Sequence, residues 1–175
     1  MPANVFEWDG WQGQFCRASR WLERLLVVAN DWGQYSLDEQ IDFALVFFQN
    51  VYHLRDYLKL EDAIAQKSLE DLIRRTAVLG YARDLANGSK HRVITRPSVD
   101  PSPWIIRTLN FGGSPRLTLK VGSEQLDLVS VACAGLEAWR TFLRQQGLDP
   151  ASVSPARNAM AEALRQHSGV AAGAD

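Results

Sequence analysis

The stretch IDFALVFFQNVYHLRDYL (41–58) decides the fold. On a helical wheel Ile41, Leu45, Phe48 and Tyr52 make one apolar stripe, and Phe43, Phe47, Asn50 and Leu54 make a second. A helix that is apolar on most of its circumference must be surrounded by other elements, so this one is predicted to be the central rod of a bundle. Its start is marked as well. Ser36 and Glu39 form an S-x-x-E capping box, in which each side chain satisfies the other's exposed backbone N–H. From that cap the helix is expected to run to about Leu60.

On the N-terminal side, FCRASRWLERLLVVAN (15–30) places Trp21, Leu22, Leu25, Leu26 and Ala29 at helical spacing, and residues 1–13 read as irregular. On the C-terminal side a third helix is expected from Asp62 or Ser68 into the segment RDLANGSKHR (83–92). The pattern then changes. RVITRPSVDPSP (92–103) carries three prolines and reads as a loop. WIIRTLNF (104–111), RLTLKV (116–121) and LDLVSVA (126–132) read as strands, separated by GGSP and GSEQ turns, which predicts an antiparallel meander. CAGLEAWRTFLRQQG (133–147) returns to helical spacing and closes on Gly147. The expected fold is mainly α. A bundle of about four core helices fills residues 1–150, with a β-meander at about 104–132 inserted before the last core helix. Residues 151–175 form an appendage, with a short helix at about 155–166 and a loose end.

Composition narrows the class. A net charge of −1 supplies no global field for nucleic acid, although a local patch near Arg107, Arg116 and Lys120 stays open. No apolar run approaches the roughly 18 residues a membrane span needs. The start MPANVFEWDG has no basic region or apolar core, so no signal peptide is expected. Two cysteines, Cys16 and Cys133, sit among apolar residues without a C-x-x-C pattern and are expected as reduced, buried thiols. Together these point to an intracellular, cytoplasmic setting. No P-loop, dinucleotide fingerprint or G-x-S-x-G is present, and no cofactor is expected.

Two polar stripes interrupt the expected core. Gln49, His53 and Asp56 fall within about 60° of one another on the central helix. On the third helix the face made by Leu69, Leu72, Ile73, Thr76, Leu79 and Gly80 continues into Arg83, Asp84 and Asn87 and, if the helix holds, Lys90 and His91. Buried polar groups need partners, so the stripes mark either a site or a packing network. His53 and His91 are candidate general acids or bases. Asp56 and Asp84 are candidates to orient a histidine, and Asn87 offers a donor and an acceptor. Arg83, Lys90 and Arg92 suit phosphate oxygens.

The segment Arg83-Asp84-Leu85-Ala86-Asn87-Gly88-Ser89-Lys90-His91, in a helical setting over about residues 15–91, resembles the HEPN superfamily of toxin and defence ribonucleases. The signature of that family is an Arg, often a polar residue, then about four to six residues and a His. Here seven residues separate Arg83 from His91, and Asp84 holds the polar position. The resemblance implies metal-independent RNA cleavage across a homodimer. Arg83 and His91 would form the catalytic pair, Asp84, Asn87, His53 and Asp56 would lie beside them, and Lys90 and Arg92 would contact RNA.

Other readings stay open. An Arg–Asp network between helices can simply fix packing register, in a non-catalytic interaction module. Gly88 read as a left-handed cap would end the helix before His91. His53, Asp56, Asp84 and His91 would be chemically adequate for Zn²⁺ or Fe²⁺, without any strong metal signature. The Trp-rich start VFEWDGWQGQF either docks a protein partner through Trp8 and Trp11 or packs back on the bundle.

Overall fold

The computed structural model describes residues 10–89, 97–99, 103–109 and 115–150. The chain is mainly α. Helices α1 (Trp11–Asn30), α2 (Leu37–Leu60), α3 (Gln66–Arg75) and α4 (Ala77–Gly88) precede strands β1 (Trp104–Leu109), β2 (Pro115–Val121) and β3 (Glu124–Asp127). Helix α5 (Leu128–Gln145) follows. The strands form one antiparallel sheet in the order β1-β2-β3, so the expected meander before the last core helix is present.

Helix α2 is the central rod. Its Ser36 cap is complete: Ser36 Oγ accepts from the Glu39 N–H at 3.2 Å, and Glu39 Oε2 accepts from the Ser36 N–H at 2.8 Å. Phe47, Phe48, Val51, Leu54 and Leu58 are fully buried, and α1, α4 and α5 all pack on it. Between α1 and α2 the polar contacts are matched. Gln14 donates from Nε2 to the Asn50 carbonyl at 2.9 Å and to Asn50 Oδ1 at 3.2 Å. At the far end, buried Gln40 donates to the Val28 carbonyl and accepts from Arg107 of β1 at 2.9 Å. The Arg107 guanidinium also lies 5.0 Å from the Trp32 ring centroid. That arginine therefore ties the sheet to the bundle and is not a free element of a basic surface.

Three expectations need correction. Helix α1 begins at Trp11, inside the segment expected to be irregular, because Glu61 Oε1 accepts the Trp11 N–H at 2.7 Å and caps the helix from α2's end. Trp11 is buried against the core, so of the two roles open to the Trp-rich start it takes the packing one; Trp8 lies outside the described residues. The third helix is two helices. Thr76 is extended (φ −114°, ψ 98°), donating to the Leu72 carbonyl while its own carbonyl accepts from Leu79 and Gly80. One residue thus satisfies the end of α3 and the start of α4, and the break lets α4 turn a new face to α2. Finally, LDLVSVA is strand only as far as Asp127. The Asp127 carboxylate accepts the Ser130 N–H at 2.7 Å, and this cap starts α5 five residues before the expected Cys133. The apolar residues beyond it alternate by coincidence with a buried helical face: Leu128, Val129, Val131 and Ala132 are all buried.

The sheet closes the bundle through β2, whose Leu117, Leu119 and Val121 are buried, while Thr108 and Thr118 share a hydroxyl hydrogen bond of 2.7 Å across strands. Helix α5 supplies Leu136, Trp139 and Leu143 to the core and stops at Gly147, whose φ of +75° is the left-handed stop expected there. The appendage from 151 onward, including the helix expected at 155–166, lies outside the described residues. No helix among the described residues is long and apolar enough to cross a membrane.

Candidate functional site

The helices that carry the two polar stripes pack on each other. Helix α4 packs antiparallel to the second half of α2. Gln49 Nε2 donates to Ser89 Oγ at 2.7 Å near the end of α4, and Arg55 and Arg83 face one cleft further along. Helix α4 runs through Gly88, with Ser89 still in the right-handed helical region, so Gly88 is not the left-handed cap. Ser89 Oγ turns back to donate to the Ala86 carbonyl. His91, Lys90 and Arg92 lie outside the described residues, and no structural role is assigned to them.

Asp84 is buried on α4 with 1% exposure, and both its oxygens are engaged. Oδ1 accepts the Ser98 N–H at 2.6 Å and Oδ2 accepts the Val99 N–H at 2.7 Å. A carboxylate accepting two backbone amides at these lengths makes charge-assisted hydrogen bonds, about twice as strong as neutral ones. The segment 97–99 is thereby strapped across α4. Gly80, one helical turn before Asp84, gives the strap its seat. A Cβ there would stand 2.9 Å from Val99 Cγ2 and 3.4 Å from Ser98 Cβ, so a side chain would force Val99 to shift.

Asp56 does not orient a histidine. Its Oδ1 accepts from Arg55 Nε at 3.0 Å and from Arg55 Nη2 at 2.8 Å. Burial alone would lower the Arg55 pKa, but the Asp56 hydrogen bond, Tyr52 and the Asp56 charge outweigh it and raise the pKa, so the guanidinium stays charged. Its carbon lies 4.6 Å from the Tyr52 ring centroid, a cation–π position. His53 and Asn87 are half-buried on the facing stretches of α2 and α4. Among the described residues no group of three His, Cys, Asp or Glu side chains is placed to hold a metal ion, and His53, Asp56 and Asp84 do not converge as one.

Arg83 projects about 100° around α4 from Asp84, the strap's anchor. It is half-buried and lines a cleft of about 550 Å³ walled by α2, α3, the start of α4 and the strap. Two other arginines share the lining, Arg55 and Arg74, together with Glu70 and Asp71. Arg55 is matched by Asp56, and Arg74 pairs with Asp71 on its own helix. Arg83 has no ion pair or hydrogen bond among the described residues, and its Nε is sealed from solvent without an acceptor. Sequence reasoning placed Arg83 in the site but missed Gly80, Arg55, Arg74 and the strap. A glycine in the middle of a helical pattern is a signal of close approach, and Gly80 carried it.

Both thiols are held toward the protonated form. Burial, with the charge of Asp127 adding to it, pushes Cys133 up to about 11, and burial raises Cys16 against the opposing pull of Arg20. No protein-family model, curated protein or solved structure matches the chain.

Proposed function

We propose that the chain is a helical binding module in which the polar cluster at the end of α4 serves packing, and in which the cleft beside it takes the ligand. The observation that supports this reading is Asp84. A buried carboxylate with each oxygen accepting a backbone amide is positioned to hold a loop in register, and Asp56 is likewise committed to Arg55. The test is turnover. Purified protein incubated with single-stranded and hairpin RNA is expected to leave both intact, with or without added divalent metal. RNA cleavage that disappears in Arg83→Ala and in His91→Ala, while both variants melt like the wild type, would refute the binding-module reading.

A second reading keeps the HEPN resemblance: a cytoplasmic homodimer that cleaves RNA, with Arg83 and His91 as its pair. What favours it is the unpaired Arg83 guanidinium on an open cleft, since a phosphodiester oxygen is one acceptor that would satisfy it.

A further inference from the structure

We infer that the cleft between α2, α3 and α4 binds a single oxyanion, a carboxylate or phosphate carried by a small molecule, with Arg83 as its primary contact. This names the ligand of the binding module proposed above.

Arg83 carries the case. A guanidinium does not give up its proton in a protein, so Arg83 brings a permanent positive charge to the cleft it lines, with no ion-pair partner among the described residues. Nothing else in the cleft answers it: Asp71 and Asp56 are each engaged with a different arginine, and Glu70 accepts from Gln66 Nε2 at 2.6 Å. The planar fork of Arg83 matches two oxygens on one centre, which is the geometry of a carboxylate or a phosphate.

Charge decides the size of the ligand. Arg55, Arg74 and Arg83 face Glu70 and Asp71 in the lining, and Asp56 stands behind Arg55. Three cations are thus set against three carboxylates. A track for a polyanion needs successive unmatched cations along a groove. Here Arg83 and Glu70 are the two lining charges outside an ion pair, which suits a ligand carrying one anionic group for Arg83 and a donor for Glu70. The carboxylate of Glu70 would repel a second phosphate and can accept from a donor elsewhere on the ligand. A volume of about 550 Å³ falls within the range of small-molecule sites, roughly 300–1,000 Å³. The Asp84-held strap forms one wall, so the packing cluster and the cleft are parts of one construction.

The test uses the full chain at low ionic strength, with acetate, inorganic phosphate and adenosine 5′-monophosphate as probes and potassium chloride as the control. At about a hundredfold excess over Kd a ligand of this kind raises Tm by roughly 5–10 °C in a chain this size. The wild type is expected to respond to acetate or to the phosphate probes but not to chloride. Arg83→Met, which keeps the apolar stem, is expected to bind about 10- to 100-fold more weakly and to melt no lower than the wild type without anion. Arg83→Lys, with its charge but not its fork, should fall between them. A stronger response to the phosphate probes assigns a phosphorylated ligand, and a stronger response to acetate assigns a carboxylate. Equal responses of wild type and Arg83→Met, or no response of the wild type to any probe, overturn the inference. So does tight binding of an RNA oligonucleotide with a steep salt dependence and no small-anion response. Because none of these outcomes involves RNA turnover, the oxyanion site can fail while the binding-module reading stands.

Discussion

Replacing Asp84 by Ala should release the 97–99 strap and lower the stability of the whole chain. Among its contacts the carboxylate accepts hydrogen bonds of 2.6 and 2.7 Å from the amides of Ser98 and Val99. A hydrogen bond to a charged group contributes about 1.5–3 kcal/mol net. Ser98 and Val99 are exposed, so their amides regain water once the strap lifts, and removing a buried charge also relieves its desolvation. Both effects pull the cost of Asp84→Ala to about 2–4 kcal/mol, a Tm decrease of roughly 5–15 °C. Asp84→Asn should cost nearly as much, because its amide nitrogen would face one of the two N–H donors. Gly80→Ala reaches the same strap from beneath, through the Cβ that would meet Val99 Cγ2 at 2.9 Å. Since both changes act on Val99, the double variant should cost less than the two added together, by about 1 kcal/mol on the scale of about 0.5–3 kcal/mol typical of coupled neighbours. Differential scanning calorimetry gives the energies, and amide hydrogen exchange at Val99 reports the strap itself. Wild-type melting of Asp84→Ala, or strict additivity with Gly80→Ala, would show that Asp84 does not work through the strap.

Two further outcomes test the core. Trp139 is fully buried with its Nε1–H unmatched, so Trp139→Phe removes an orphan donor, worth about 1–3 kcal/mol, along with some packing volume. Its net cost by chemical denaturation should stay under about 2 kcal/mol, where Trp139→Ala should cost about 3–5 kcal/mol; a Phe variant as damaged as the Ala variant would mean the indole N–H has a partner. Cys133 provides a pH test. Its thiol is raised to about 11 when folded, against an ordinary value of about 8.5 in the unfolded chain. Its stabilising contribution is therefore fully present below about pH 8.5 and is lost as pH rises through about 11. The difference in stability between wild type and Cys133→Ala should shrink by about 2–3 kcal/mol across that window, and native Cys133 should resist thiol reagents at about pH 8; a constant difference would place the thiolate in contact with solvent.

The architecture was legible where one periodicity had no competitor. Ser36, Glu39 and the doubly striped run from Ile41 to Leu58 specified α2 and its central place, because cap chemistry and burial agree there. The first two strands and Gly147 were legible for the same reason, with alternation bounded by turn residues in one case and a left-handed stop in the other. The break at Thr76 was not legible. A threonine is neither a Gly nor a Pro, and the apolar spacing of Leu72, Ile73, Leu79 and Gly80 reads as a single helix. The kink follows from packing across the molecule: α4 buries Leu79, Ala82, Leu85 and Ala86 against the bundle, while α3 buries only Leu69 and Ile73. The start of α5 was hidden in another way. Leu126, Leu128 and the residues after them satisfy a strand pattern and a buried helix face at once, and only the Asp127 side chain, bonded to Ser130 N–H, decides between them.

The candidate site was half legible for a physical reason that bears on its use. A wheel assigns Arg83 and Asp84 to one continuing face, since adjacent residues lie only about 100° apart. In the fold that angle separates two environments. Asp84 turns toward the strap and is sealed there by Ser98 and Val99, while Arg83 turns toward the cleft with Arg55 and Arg74. Sequence alone cannot make that division, because the strap's Ser98 lies fourteen residues downstream of Asp84. The division also explains why the pair stands side by side. Asp84 fixes the wall, and the same turn of helix then presents Arg83 to whatever the wall encloses. Exchanging the two, through Arg83→Asp combined with Asp84→Arg, should therefore fail on both counts although it keeps composition and net charge. A guanidinium in place of the Asp84 carboxylate would set donors against the two amide N–H groups of the strap. A carboxylate in place of the Arg83 guanidinium would join Glu70 and Asp71 in the cleft and repel an anion there. The exchanged chain should melt no higher than Asp84→Ala and show no thermal response to acetate or phosphate. Wild-type melting of that variant, or a retained anion response, would mean that the two positions share one environment after all.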